Sequence, residues 1–148
     1  MISLNSLLKK IKTIAEAHSQ VNTYAQGNKY DFGQDEALVY PCLWAIPQGG
    51  SMDLTGRKFD YTITIFCMDI ELKDGSNQIE ILSDTILILT DLVAKLQSDA
   101  QDGDEWQVTS IGAYNPFTDA DSDTISGHSV DLTLSAFYSG DICSEIIN

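Results

Sequence analysis

The chain has 148 residues and 43% of them are hydrophobic, which suits one domain that can bury a core of its own. Its formal net charge of -14 argues against a protein that holds nucleic acid or an anionic membrane through a basic surface. Its three cysteines show no metal-ligand spacing, so a reduced, cytosolic origin is expected. No signal peptide or transmembrane helix is expected, because the N-terminal segment has no uninterrupted apolar run and the longest apolar stretch, 79–96, is repeatedly broken by polar residues.

The first predicted element is a helix from about Leu4 to His18. Ser3 precedes it and can accept a hydrogen bond from a free backbone N–H group, as helix-capping residues do. Apolar residues recur at three- and four-residue steps and form one stripe, made of Leu4, Leu7, Leu8, Ile11 and Ile14. We expect this stripe to face the core or a neighbouring subunit, because the helix is short and the chain acidic.

Three strands are predicted next. A short one lies at 21–24, and an apolar run from Leu38 to Ile46 follows, in which Pro41 favours an edge position or a bulge because proline cannot donate to a sheet ladder. The clearest strand is "GRKFDYTITIFCMDI", which alternates between two faces. Phe66 and Met68 fall on its more polar face, where they either form an exposed apolar patch or are buried by other parts of the chain.

A long second helix is predicted after "KDGSN" and ends near Ser98. Asn77 and Glu80 have the spacing of a capping box, in which each side chain satisfies a free backbone N–H group. The predicted apolar stripe consists of Ile79, Leu82, Ile86, Leu89, Val93 and Leu96, and it is widened by Ile81, Ile88 and Leu92. Such a stripe is wider than one sheet face usually needs. Either the helix lies deep in the subunit, or a neighbouring subunit covers part of it.

Two strands end the predicted order of elements, "EWQVTSIGAYNPF" and the alternating segment from Val130 to Tyr138. The order of helix, strands, helix and strands predicts a single α+β domain over 1–148. We expect an antiparallel sheet of about four to five strands, with the N-terminal helix and the long central helix packed on one face.

An acidic triplet, Asp119, Asp121 and Asp123, lies between these last two strands. An EF-hand loop that began at Asp119 would need glycine and glutamate where the sequence has Thr124 and Val130. The sharp turn and the bidentate ligand are therefore both missing. The favoured interpretation is a polar hairpin connection, and an irregular calcium site is the alternative.

No constellation in the sequence indicates catalysis or a cofactor. His18 and His128 are the two histidines, and neither accompanies a recognisable nucleophile motif. Cys42 and Cys67 lie in apolar strand-like runs, where a buried thiol is usually inert. Phosphate-binding and dinucleotide fingerprints are missing as well. We therefore expect no enzyme, no cofactor and no metal, although an unmarked pair of carboxylates in a hydrolase stays open.

Charge is distributed unevenly along the sequence. All eight basic residues lie at or before Lys95, and ten acidic residues follow it. This asymmetry predicts that one end or face of the molecule is electronegative. Such a surface either only keeps the protein soluble, or it repels DNA or meets a basic partner.

The order of the predicted elements and the local sequence pattern resemble those of a known group of proteins. The residues that carry the resemblance are the N-terminal helix followed by "HSQVNTYAQGNKYDFG", the run "YPCLWAIP", and the end "DTISGHSVDLTLSAFY". The chain resembles the small neck and tail proteins of tailed bacteriophages, in particular tail terminator and head–tail joining ring proteins, including those of phages related to the crAss-like group. Proteins of that group have no catalytic residues to carry over.

The resemblance implies a structural virion protein of the neck or tail, assembled in the host cytoplasm. It implies a homo-oligomeric ring, often a hexamer or dodecamer, between portal and tail proteins, with sheets that often join around the ring and DNA that passes through the lumen. An acidic lumen would let DNA slide, because phosphate contacts are what hold DNA to protein. Two other classes stay open: a cytosolic domain that binds a small molecule in an apolar pocket between helix and sheet, and the carboxylate hydrolase.

Subunit contacts would carry the function of a ring protein, since a closed ring joins one patch to a different patch of the neighbour. The predicted contact residues lie on the long strand, the second helix and the segment from Tyr24 to Gln34. They are Phe66, Met68, Ile81, Ile88, Leu92, Tyr24, Tyr30 and Phe32. The acidic triplet would dock a partner or face the lumen.

Overall fold

The computed structural model describes residues 2–27, 39–101, 105–119 and 124–138. This part of the chain forms two helices and six strands. In chain order they are α1 (Leu4–Ala17), β1 (Thr23–Gln26), β2 (Cys42–Asp53), β3 (Lys58–Ile70), α2 (Gln78–Gln101), β4 (Trp106–Ile111), β5 (Asn115–Asp119) and β6 (Ile125–Phe137). The α+β class is confirmed.

The strands form one six-stranded sheet in the order β1-β2-β3-β6-β4. β3 pairs with β6 along its whole length, so β4 and β5 share the other side of β6, where β4 faces 132–136 and β5 faces 125–129. All pairs are antiparallel except β1 with β2, which is parallel. The sheet is thus mixed and has six strands, rather than wholly antiparallel with four to five, because β1 joins as a parallel edge and the predicted strand after α2 is broken in two.

Both helices pack on one face of the sheet, as predicted. Ser3 caps α1 by accepting a hydrogen bond from the backbone N–H of Ser6. Alternate residues of the central strands point to this face, because side chains of a strand alternate between two sides. Those in the core are Leu43, Ala45, Ile63, Ile65, Cys67, Val130, Leu132 and Leu134, packed against Leu7, Leu8 and Ile11 of α1.

The buried face of α2 differs from the predicted stripe. Ile81, Ile88, Leu92 and Leu96 are at most 4% exposed, whereas Ile79 is 74% exposed and Ile86 38%. The helix is apolar over about half its circumference, so spacing alone leaves its rotation open. α1 lies beside α2, where Nε2 of His18 is 3.0 Å from Oδ2 of Asp91. Leu7 and Ile11 of α1 share one buried cluster with Ile88 and Leu92 of α2, so the side of α2 towards α1 is part of its buried face.

The start of α2 is fixed by contacts other than a capping box. Oδ1 of Asn77 accepts a hydrogen bond from the backbone N–H of Leu72 at 2.8 Å, and its amide donates to the carbonyl oxygen of Ile70 at 3.3 Å. Asn77 thus ties the first turn of α2 to the end of β3. These bonds place residues 70, 72 and 79 close together at one end of the sheet.

A second apolar cluster lies on the sheet face away from the helices. It contains Cys42, Trp44, Ile46, Met68 and Ile125, with Phe66 and Phe117 packed against it. The rings of Phe66 and Phe117 meet edge to face with centroids 5.4 Å apart. Towards the other end, this face turns polar and carries Asp60, Thr62, Thr64, Asp131 and Ser135, with Thr64 Oγ1 2.5 Å from Asp131 Oδ1.

β2 and β3 form a long hairpin that ends the sheet at the opposite end from Ile70. β2 runs past Pro47, where the sequence predicted its end, because the register shifts between Pro47 and Gly50 and lets pairing continue to Asp53. Within the described ranges, neither helix has the combination of length and hydrophobicity that a bilayer crossing requires.

Candidate functional site

The first residue of the acidic triplet lies in the last hairpin. Asp119 ends β5 and pairs with Ile125, the first residue of β6, so the predicted position at a hairpin is confirmed for this residue. Asp121 and Asp123 lie outside the described residues. Among the residues that are described, no three His, Cys, Asp or Glu side chains converge as a metal ion would need.

Buried polar groups lie beneath the first half of α2. Oγ1 of Thr85 lies 3.0 Å from Nδ1 of His128, and the same hydroxyl donates to the carbonyl oxygen of Ile81 at 2.8 Å. Because the hydroxyl hydrogen is used in that bond, Nδ1 of His128 donates to the hydroxyl oxygen. Burial lowers the pKa of His128, which favours the neutral imidazole.

Cys67 is the cross-strand partner of His128, so thiol and imidazole lie on the same face. The thiol is fully buried. Burial is the main cause that raises the pKa of Cys67, and Cys42 and Asp69 raise it further. The group therefore stays a thiol, whereas a nucleophilic cysteine needs a lowered pKa and access to substrate. The arrangement is that of a packed core with one satisfied histidine.

A carboxyl pair lies near the end of β3. Burial raises the pKa of Asp69, a backbone hydrogen bond from Ile70 opposes it, and the charge of Asp84 raises it again. Glu71 accepts a hydrogen bond from Gln78 at 2.8 Å and another from the hydroxyl of Ser126. Glu71 thus ties Gln78 at the start of α2 to Ser126 of β6, a structural role that needs no substrate.

Half of the predicted contact residues cannot reach a neighbour. Met68, Ile81, Ile88 and Leu92 are buried within the subunit, at 0%, 4%, 1% and 1% exposure. Met68 fills the second apolar cluster, and the three helix residues fill the core between α2 and the sheet. The prediction that they form subunit contacts is therefore wrong, because the apolar width of α2 serves its own subunit.

The other predicted contact residues are partly buried or undescribed. Phe66 is half-buried in the second cluster. Tyr24 is half-buried against the helix-side core, and its hydroxyl donates to Gln26 at 3.1 Å. Burial, followed by the charge of Glu16, raises the pKa of Tyr24. Tyr30 and Phe32 lie outside the described residues.

A different set of apolar side chains is exposed around the first half of α2. We call it the apolar patch, and it consists of Leu72, Ile79, Ile86, Leu87 and Ile111, each between 38% and 74% exposed. Ile70 is also 40% exposed, but it points to the other face of the sheet, as its partner Ile125 does. The hydroxyls of Thr90 and Tyr114 lie 3.2 Å apart and hold this side of α2 over the edge formed by β4 and β5. The sequence offers one signal of the patch, since Leu87 is an apolar residue of α2 that lies outside the predicted stripe.

The end of the β2–β3 hairpin is also apolar. Met52 is 52% exposed and Leu54 76%. Sequence reasoning missed both, although two large apolar residues in the turn-rich stretch "QGGSMDLTGR" are an unusual composition for a solvated turn.

The acidic residues after Lys95 do not share one face in the part that the structure describes. Asp99 lies on α2, where Oδ1 is 3.0 Å from Nζ of Lys95. Glu105 precedes β4 and Asp119 ends β5. Asp131 is exposed on the sheet face away from the helices. These four residues lie on different elements, and the other six acidic residues after Lys95 lie outside the described residues, so the electronegative end or face stays a prediction.

Open grooves run beside α1 in the described part of the chain. One, of about 400 Å³, is lined by Ser6, Lys9, Lys10, Thr13, Ile14 and Asp99. Another, of about 430 Å³, lies between the start of α1 and Phe137. Buried side chains fill the layer between helices and sheet, where the small-molecule alternative placed its pocket.

Comparison with known proteins assigns no family. No protein-family model matches the chain, and a search of the curated proteins finds no match. Function must therefore be inferred from the fold and its surfaces.

Proposed function

We propose that this chain is a structural subunit that assembles with copies of itself into a ring, in the neck or tail of a tailed bacteriophage. The position in the virion and the ring rest on the resemblance of the sequence to neck and tail proteins. Assembly as the mode of action rests on the exposed surfaces of the subunit.

The observation that carries the proposal is the apolar patch beside a sheet edge. Five large apolar side chains are exposed on or beside α2, above a core of buried side chains. Clustered apolar exposure of this kind typically marks a protein–protein contact. β4 and β5 pair with β6 on one side only in the described ranges, so their outer backbone groups are open to a partner strand.

A ring requires two different contact surfaces on each subunit, because a closed cyclic assembly is built from head-to-tail contacts. The sheet has two dissimilar edges: β1, four residues long, and the β4–β5 edge beside the apolar patch. The subunit is thus asymmetric in the way that a heterologous contact needs.

Passage of DNA through such a ring would suit the polar sheet face. Asp60, Thr62 and Asp131 lie on this face of β3 and β6 and are at least partly exposed, whereas Thr64 and Ser135 are buried. Carboxylates and hydroxyls give phosphate no cationic partner, so DNA in contact with this stretch would not be held, although Lys58 at the end of β3 points to the same face.

The test is the mass of the chain in solution. Sedimentation velocity over rising concentration should give a species of six or twelve times the 16.3 kDa subunit, and electron micrographs should show rings. Replacing Ile79 and Ile86 by serine should weaken assembly, whereas Gln97→Ser, also exposed on α2, should leave it unchanged. A single-subunit mass up to millimolar concentration, alone and with portal and tail proteins, would refute the proposal.

A further inference from the structure

We propose that copies of this chain bind head to tail, with the end of the β2–β3 hairpin of one copy seated on the start of α2 of the next. The occupant of both surfaces is thus a second copy of the same chain. This inference rests on the proposed self-assembly and names two surfaces that carry it.

The first surface, the hairpin tip, consists of Met52, Leu54, Arg57 and Lys58. Both apolar side chains are more than half exposed, and Arg57 is exposed beside them. The backbone under them is well fixed. Oδ1 of Asp53 accepts a hydrogen bond from Gly56 N–H at 3.0 Å, and the carbonyl oxygen of Arg57 accepts one from Tyr138 at 3.2 Å. A rigid, apolar and basic knob results.

The second surface, the acceptor, is the part of the apolar patch at the start of α2. Leu72 and Ile79 are 57% and 74% exposed, and the side chain of Asn77, two residues before Ile79, accepts a hydrogen bond from the backbone N–H of Leu72 at 2.8 Å. Exposed carboxylates surround them on Asp74, Glu80 and Asp84, against one base, Lys73. The acceptor is therefore apolar and acidic, the complement of the hairpin tip.

One subunit cannot bring its own two surfaces together. The hairpin tip adjoins Lys58 and the acceptor adjoins Ile70, which are the two ends of β3. Thirteen strand residues span roughly 40 Å at the usual rise per residue. The contact must form between copies, and it joins two different surfaces, so it propagates from copy to copy and closes only in a ring.

Apolar and charged groups would contribute differently to this contact. Four or five side chains form a small interface, so a single contact is weak, and a closed assembly strengthens it because each copy is held at two places. The opposite charges set the orientation, since a tip facing a tip or an acceptor facing an acceptor repels.

Charge exchange provides the test. In the tip variant, Arg57 and Lys58 become glutamate; in the acceptor variant, Glu80 and Asp84 become lysine. Each variant alone brings like charges together, so we expect its assembly in low salt to weaken at least about tenfold by sedimentation velocity. An equimolar mixture restores attraction at every contact, and we expect it to assemble like the wild type.

Two controls complete the design. Lys9→Glu with Lys12→Glu changes the net charge by the same amount on α1, away from both surfaces, and should leave assembly unchanged. A photo-crosslinking residue at position 54 should link to residues 70–84 of an isotopically distinct copy. Urea denaturation should show that all variants keep the wild-type fold, because every substituted side chain lies at the surface.

The outcomes separate this inference from the proposed function. Wild-type protein that stays a monomer refutes the assembly itself. Wild-type protein that assembles, with a tip variant that assembles equally well or a mixture that fails to recover, refutes the hairpin contact alone.

Discussion

Gly127 sits where β6 passes closest to β3, and replacing it with alanine should be severe. It pairs with Met68 in the middle of the sheet. A Cβ atom here would overlap the carbonyl oxygen of Cys67 and lie 2.9 Å from both the carbonyl carbon of Cys67 and Cα of Met68. Carbon atoms normally stay about 3.5–4.0 Å apart, so each of these contacts is short by about 0.6–1 Å.

The obstructing atoms are backbone atoms of a central strand, which cannot rotate away as a side chain would. Relief requires the two strands to separate, which strains the hydrogen bonds on either side of position 127. Overpacking typically costs about 1–3 kcal/mol, and we expect Gly127→Ala to exceed that range, at about 3–5 kcal/mol.

Urea denaturation followed by circular dichroism measures the loss. Gly112→Ala is the matched control, because its Cβ would approach no atom closer than 3.3 Å, the distance to the carbonyl oxygen of Asp131. We expect that substitution to change the free energy of unfolding by less than about 1 kcal/mol. A Gly127→Ala protein as stable as Gly112→Ala would show that the strands do not approach as closely as described.

Burial and charge lead to three further expected outcomes. Ile88→Ala should lower the free energy of unfolding by about 2–5 kcal/mol, because its side chain is buried. Ile86→Ala, on the exposed side of the same helix, should lower it by less than about 1 kcal/mol. Equal losses would contradict the orientation of α2 about its axis. Burial lowers the pKa of His128 in the folded chain below its ordinary value of 6.5. Its contribution to the free energy of unfolding is therefore complete above pH 6.5 and is lost as the pH falls below it, because the unfolded chain then binds a proton that the folded chain does not. Urea titrations at several pH values should show that the free energy of unfolding of His128→Asn falls less steeply with falling pH than that of the wild type. An equal pH dependence would contradict this prediction. Wild-type protein should pass a DNA-cellulose column at low salt, while Asp131→Lys with Asp60→Lys should be retained; retention of the wild type would contradict a non-binding lumen.

The sequence predicted the elements that are marked by local features, such as a helix cap, a strand alternation or a turn. Helix α1 begins where Ser3 can cap it, and β3 alternates over its whole length. α2 begins after a turn rich in Gly, Ser and Asn. In each case, neighbouring residues in the sequence decide the structure.

Features that depend on distant residues could not be predicted in the same way. α2 is apolar on two sides, and the position of α1 decides which one is buried. The strand predicted at 105–117 is divided into β4 and β5, and the register shift between Val108 and Ser110 arises from pairing with β6. Leu54 and Ile79 are exposed because no other part of the described subunit covers them. The candidate contact surfaces could therefore be identified only from the structure.

The central position of β6 has a consequence for synthesis of the protein. β6 pairs with β3, β4 and β5, and its partners in β3 are distant in sequence, from Ile70 with Ile125 to Lys58 with Phe137. The chain therefore has high contact order, and its sheet cannot close while the ribosome still holds residues 125–137. At roughly 5–20 residues per second, β3 waits several seconds with an unpaired edge. A nascent chain is thus exposed to premature strand pairing with its neighbours, and chaperone binding during that interval would limit it.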